Sequence, residues 1–237
     1  MKFTFKIGAK IKEAWPLYKE NFWVLLIMTI ATFAIQFVGQ GKKEVNTLTL
    51  EFAVLMLVMA IVSLFVSYMW LRLILNIVDK KEFNLFSVQA IPTLEKLWNY
   101  IKTSILYGFC VMAGFVLLVI PAFYVAGRLM FAVYISIEKN QGGRASIKES
   151  WDMTKGYAWQ LFWKSFFLGL FMVVGFLALI VGSLVTYPIG FIVMIMMYRE
   201  FQKFKMQNIS NPIPVEVSPQ AENIKEIPIV PQTENPQ

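Results

Sequence analysis

Long apolar runs separated by short mixed segments set the pattern of this chain. In residues 3–21, Ile7, Ile11, Ala14, Trp15 and Tyr18 recur at three- and four-residue spacing, with Lys6, Lys10, Glu13 and Glu20 on the other side. That period predicts an amphipathic helix lying in a membrane interface. Pro16 should bend it, or restart it as a first-turn residue of the next helix. The run Phe22 to Val38 is barely long enough to span, and Leu50 to Val78 is longer than a bilayer needs. Residues 84–99 read as a second interfacial helix, and Tyr100 to Ile120 as a span. Pro121 marks a tight turn into a further apolar helix, Ala122 to Ile137. Ala145 to Lys155 is a third amphipathic helix, Ala158 to Ser183 a span, and a turn at Tyr187-Pro188 opens a last helix that becomes polar at Arg199.

The expected fold is therefore all-α: a polytopic membrane protein of six transmembrane helices with three interfacial amphipathic helices. Residues 1–206 form the membrane domain, with units of about 3–78, 84–138 and 143–206. Residues 207–237 hold six of the ten prolines and read as a disordered cytoplasmic tail able to dock a protein partner.

The three units read as repeats. Residues 9–26 and 145–162 agree at eight of eighteen positions at one offset, Trp15 aligning with Trp151 and Trp23 with Trp159. Sliding 98–118 onto 159–179 pairs Trp98 with Trp159, Gly108 with Gly169 and Gly114 with Gly175. Shared aromatic composition accounts for isolated identities, but less easily for columns that agree with one another.

Composition narrows the chemistry. With 57% apolar and 16% charged residues, the chain is not a soluble globule. It has no histidine and one cysteine, Cys110, which excludes an intrachain disulfide and Ser-His or Cys-His catalysis. No cofactor, metal site or enzymatic activity is expected. A metal held by Glu138, Glu149 and Asp152 would be the enzyme alternative, which their spacing alone does not suggest.

Charge sets the orientation. Counting from a cytoplasmic N-terminus, inner segments collect eighteen basic residues and outer loops only Lys42 and Lys43, so both termini should be cytoplasmic. The basic residues are scattered between spans instead of forming a stripe, which argues against nucleic acid and for anionic inner-leaflet lipid. Trp15, Trp23, Trp98, Trp151 and Trp159 are the expected interfacial anchors. The basic stretch before Phe22 is about twenty residues long and lacks a small-x-small cleavage site, which argues against a signal peptide.

Arg128 is the one cation deep in an apolar helix. It is either a site for a lipid phosphate or part of a polar pathway, or it snorkels to water or bonds carbonyls freed near Pro121. Gly108, Gly114, Gly169 and Gly175 are expected at close helix packing, and Asp152 or Thr154 as a cap on the following span. Gly142-Gly143 lacks the Lys-Ser/Thr of a phosphate loop.

Ile120, Pro121, Arg128, Gly142, Gly143, Ala145, Ser150, Trp151 and Gly156 together carry a resemblance. The run from Ile120 to Trp163 resembles the bacterial families of the glycerophosphoryl diester phosphodiesterase membrane domain and YciC type. The resemblance implies a six-helix module of the bacterial inner membrane with no assigned biochemical role. Catalysis in those two-part proteins is attributed to a separate soluble barrel with histidine ligands, so hydrolysis is not implied here. The expected function is a non-enzymatic module that organises membrane or interacts with lipid, the alternative being a small transporter or transporter subunit. Oligomeric state is not legible.

Overall fold

The computed structural model describes residues 3–38, 50–81, 92–117, 119–177 and 180–210. These form helices α1 (Ile7–Glu20), α2 (Phe22–Val38), α3 (Leu50–Val78), α4 (Leu94–Leu117), α5 (Val119–Leu129), α6 (Ala132–Lys139), α7 (Gly143–Met153), α8 (Ala158–Leu177) and α9 (Ile180–Ser210). The all-α expectation holds, and the chain is a polytopic helical membrane protein.

The count of six spans does not hold. By length and apolar composition, Ala53–Val78, Ala158–Leu177 and Gly182–Asn208 are able to cross a membrane. Ile7–Glu20 with Phe22–Ile35 adds a fourth if that bent pair is one span, so the described residues hold three or four candidate spans. The shortfall has physical causes. The expected helix Ala122 to Ile137 is broken at Met130-Phe131 into α5 and α6, of 11 and 8 residues. At 1.5 Å per residue each is far shorter than a hydrocarbon core of ~30 Å. The early turns of α4 carry Glu95, Lys96 and Lys102.

Other boundaries move too. Residues 94–99, expected as part of an interfacial helix, belong to the continuous α4, while 84–91 lie outside the described residues. Pro16 stays inside α1, and the chain bends by 96° at Asn21 instead. There the Asn21 backbone N–H and side-chain Nδ2 both donate to the Leu17 carbonyl, at 3.2 and 3.0 Å, closing α1 before α2 begins. Pro121 is not a turn residue but lies in the first turn of α5, where a missing N–H costs nothing. Pro188 is not a turn either, since it lies inside α9, which begins at Ile180. The helix also runs past the expected tail boundary, to Ser210. The tail from 211 onward and the Lys42-Lys43 loop lie outside the described residues.

The core is built around α9. Ile192, Val193, Ile195, Tyr198 and Phe201 are fully buried, with α1, α2, α3 and α8 packed around them. The N-terminal segment closes over one end: the Phe3 ring meets Phe201 edge-on at 5.0 Å, and Lys164 Nζ donates to the Phe3 carbonyl at 3.2 Å. Two tight helical hairpins, α4/α5 and α8/α9, make the most extensive pairings. Ion pairs gather at one end, where Lys10 meets Glu200, Arg199 meets Asp79 and Glu138, and Lys139 meets Glu149. The first turn of α1, the last turns of α3 and α6, and the polar part of α9 therefore share one end of the bundle.

Candidate functional site around Arg128

Arg128 sits in the last turn of α5, where a cation complements the helix dipole. The helix stops one residue later and leaves its final carbonyls free. Two hydroxyls of α7 take one of them: Ser150 Oγ and Thr154 Oγ1 donate to the Arg128 carbonyl at 2.9 and 2.8 Å. Ser150 and Thr154 are four residues apart, so they fall on one face of α7, and both are fully buried. Thr154 thus serves the end of α5 and, through a 2.7 Å bond to the Ser150 carbonyl, its own helix. It does not cap the following span.

The side chain of Arg128 is covered by aromatic rings. Its guanidinium carbon lies 4.3 Å from the Trp151 ring centroid and 5.9 Å from that of Tyr124, one turn earlier on α5. Cation–π contact of this kind contributes about 0.5–2 kcal/mol, more as water is excluded. Arg128 is only 3% exposed, and its Nε and Nη1 have no hydrogen-bond partner among the described residues. Lys155 and Lys205 add positive charge, for Lys205 feels the fields of both Arg128 and Lys155.

A glycine makes the position possible. A Cβ on Gly127 would stand 2.5 Å from the Ala158 carbonyl, so α5 crosses the start of α8 at backbone contact immediately before Arg128. Gly127 was not singled out in sequence, although the Gly-Arg pair inside an apolar helix was a visible signal. Gly156, with φ +85°, supplies the left-handed residue between α7 and α8.

The expected packing glycines divide in two. A Cβ on Gly114 would reach within 2.8 Å of the Ala122 Cα, and one on Gly175 would collide with the Thr186 side chain. These are the close approaches of the α4/α5 and α8/α9 hairpins. Gly108 and Gly169 are not packing points, because a Cβ there would meet nothing within 4 Å among the described residues. Gly142 and Gly143 begin α7, where a Cβ on Gly143 would stand 2.9 Å from the Lys102 carbonyl of α4.

The five expected anchors are exposed, from Trp151 at 37% to Trp23 at 72%. Lys19 stands 5.4 Å from the Trp15 ring and Lys102 stands 5.2 Å from the Trp98 ring, so on both α1 and α4 a cation neighbours an exposed indole. Trp70 differs. It is buried at 2% between α3 and α9, against Tyr187 and Phe191.

Residues 121–210 match the family model for the membrane domain of glycerophosphoryl diester phosphodiesterase. The match runs from the first turn of α5 to the last residue of α9, so it contains every residue of the Arg128 site. It reaches well beyond the Ile120 to Trp163 run that carried the resemblance in sequence. No curated protein and no solved structure gives a significant match.

A second polar cluster escaped sequence reasoning. Arg199 of α9 donates from Nε and Nη2 to the two oxygens of Asp79 at 2.8 and 2.6 Å, and its Nη1 pairs with Glu138. Tyr198 donates to the other Glu138 oxygen at 2.6 Å. Partial burial alone would raise the Glu138 carboxyl, but the bonds from Tyr198 and Arg199 outweigh it and hold its pKa below the ordinary glutamate value. Glu138 is thus occupied, Glu149 pairs with Lys139, and no group of three potential metal ligands forms among the described residues.

Proposed function

We propose that this protein is a non-enzymatic module of the bacterial inner membrane, termini on the cytoplasmic side, that organises or senses the inner leaflet by engaging anionic lipid headgroups at Arg128. One observation carries the reading. A guanidinium with two nitrogens unpartnered among the described residues lies near further cations, behind aromatic rings that are themselves partly exposed. Burying a charge without pairing it is costly, and a lipid phosphate is the partner that a membrane supplies in quantity. The exposed tryptophans and their lysine neighbours support an interfacial setting for this surface.

The test is native mass spectrometry of the full chain reconstituted in phosphatidylcholine nanodiscs containing phosphatidylglycerol. The expected result is retained phosphatidylglycerol, lost in Arg128→Ala and largely kept in Arg128→Lys. Equal retention by the wild type and Arg128→Ala, or none by either, would overturn the proposal.

A further inference from the structure

The polar end of the bundle contains a half-open cavity of about 210 Å³ between α3, α4, α6 and α9. Its wall is mainly polar, and its charges do not balance. Among the described residues, Arg72, Lys81, Lys96 and Arg199 face it with Asp79 and Glu138 in opposition, so two positive charges remain. The pairing shows where they reside. Arg199 is held by both carboxylates, and Lys81 adds a looser contact to Asp79 at 3.4 Å. Glu95, beside Lys96 on α4, accepts from Asn140 at 3.2 Å. Arg72 and Lys96 have no salt bridge among the described residues, and Arg72 Nη1 is buried without a hydrogen-bond partner.

Two uncompensated cations, one a guanidinium suited to bidentate oxygen recognition, make a site for a doubly charged tetrahedral anion. The volume favours a small ligand. At 210 Å³ the cavity falls below the ~300–1,000 Å³ of sites for drug-sized molecules and fits a phosphate with a small substituent, while its open side lets a longer group extend outward. Tyr68 and Asn140, at the same wall, can bond a phosphate oxygen or a hydroxyl of that substituent.

We infer that this cavity is an anion site distinct from Arg128, in which Arg72 and Lys96 bind the phosphate of a phosphate monoester. The phosphate is carried either by a small soluble molecule or by a lipid headgroup whose chains remain outside.

Full-length protein in a neutral detergent is titrated with inorganic phosphate at constant ionic strength set with chloride, following the midpoint of thermal unfolding. The midpoint should rise saturably. Arg72→Gln and Lys96→Gln should each weaken the half-saturating concentration by about tenfold or more, the equivalent of one lost charge-assisted bond. Lys12→Gln, an exposed charge elsewhere, should leave it unchanged. In parallel, phosphatidylcholine nanodiscs with and without phosphatidate are compared by native mass spectrometry. A response to inorganic phosphate alone assigns the site to soluble monoesters, and Arg72-dependent retention of phosphatidate alone assigns it to a headgroup. Responses to both mean that the sources share the site. No response to either, or responses that survive both substitutions, would overturn the inference. Should Arg72→Gln fail to fold, Lys96→Gln, at a partly exposed position, decides it.

Discussion

The guanidinium of Arg128 lies 4.3 Å from the ring centroid of Trp151, while the Arg128 carbonyl is held by the residue before that tryptophan, Ser150, at 2.9 Å. One residue of α5 is thus gripped at both its backbone and its side chain by consecutive residues of α7. The carbonyl grip is a structural pin, and the ring contact keeps the cation in place while leaving Nε and Nη1 without a partner among the described residues.

The pin can be tested by itself. Ser150→Ala leaves Thr154 as the remaining donor to the carbonyl and should cost about 1 kcal/mol. The double variant Ser150→Ala, Thr154→Val strands a buried acceptor and should cost about 1–3 kcal/mol in total. Thermal or denaturant unfolding in detergent measures both. Unchanged stability in the double variant would mean that the carbonyl bonds contribute nothing.

The glycines give a prediction with two signs. Gly114→Ala forces a methyl group against the Ala122 backbone and should destabilise by about 1–3 kcal/mol, since backbone cannot yield as a flexible side chain does. Gly108→Ala meets open space and should be neutral or stabilising by up to ~1 kcal/mol from helix propensity. Equal effects at both positions would contradict the packing of the α4/α5 hairpin.

Glu138 makes stability depend on pH. Its pKa is depressed in the folded state, so the contribution is fully present above the unfolded glutamate value of about 4.3 and is lost as pH falls through the folded value. Arg199→Gln removes the cation that Glu138 and Asp79 share. The stability gap between wild type and Arg199→Gln should therefore be widest near neutrality and narrow in acid. A gap that does not change with pH would show that this pairing is not what depresses Glu138.

Tryptophan exposure predicts a graded optical signal. In single-tryptophan variants within brominated phosphatidylcholine, Trp23, at 72% exposure, should be quenched strongly, and Trp70, at 2%, hardly at all. A quenched Trp70 would place lipid where the structure has Tyr187 and Phe191.

Sequence periodicity located α2 and α3 to the residue, because each is a predominantly apolar run bounded by polar segments. It placed a boundary near Tyr100 that does not exist. Nothing between Asn99 and Tyr100 breaks a helix, and the change from mixed to apolar composition was only a change in what α4 faces. The break at Met130-Phe131 lacks glycine or proline and had no local signal; one of the carbonyls it frees, that of Arg128, is taken by hydroxyls at the end of α7. Arg128, Ser150 and Trp151 were recognisable as a set, though not as a carbonyl pin with a stacked guanidinium. The Arg72 cavity was not legible at all. Its walls come from four helices, and the Arg199 to Asp79 pair alone joins positions 120 residues apart.

The right-angled elbow at Asn21 has a mechanical consequence. On the proposed function, α2 stands upright and α1 lies flat, and fourteen residues at ~1.5 Å each and a width of ~10 Å would occupy roughly 200 Å² of one lipid monolayer and none of the other. Many copies crowded together would then expand one side of the sheet and press it into a curve, tying membrane shape to the local density of the protein.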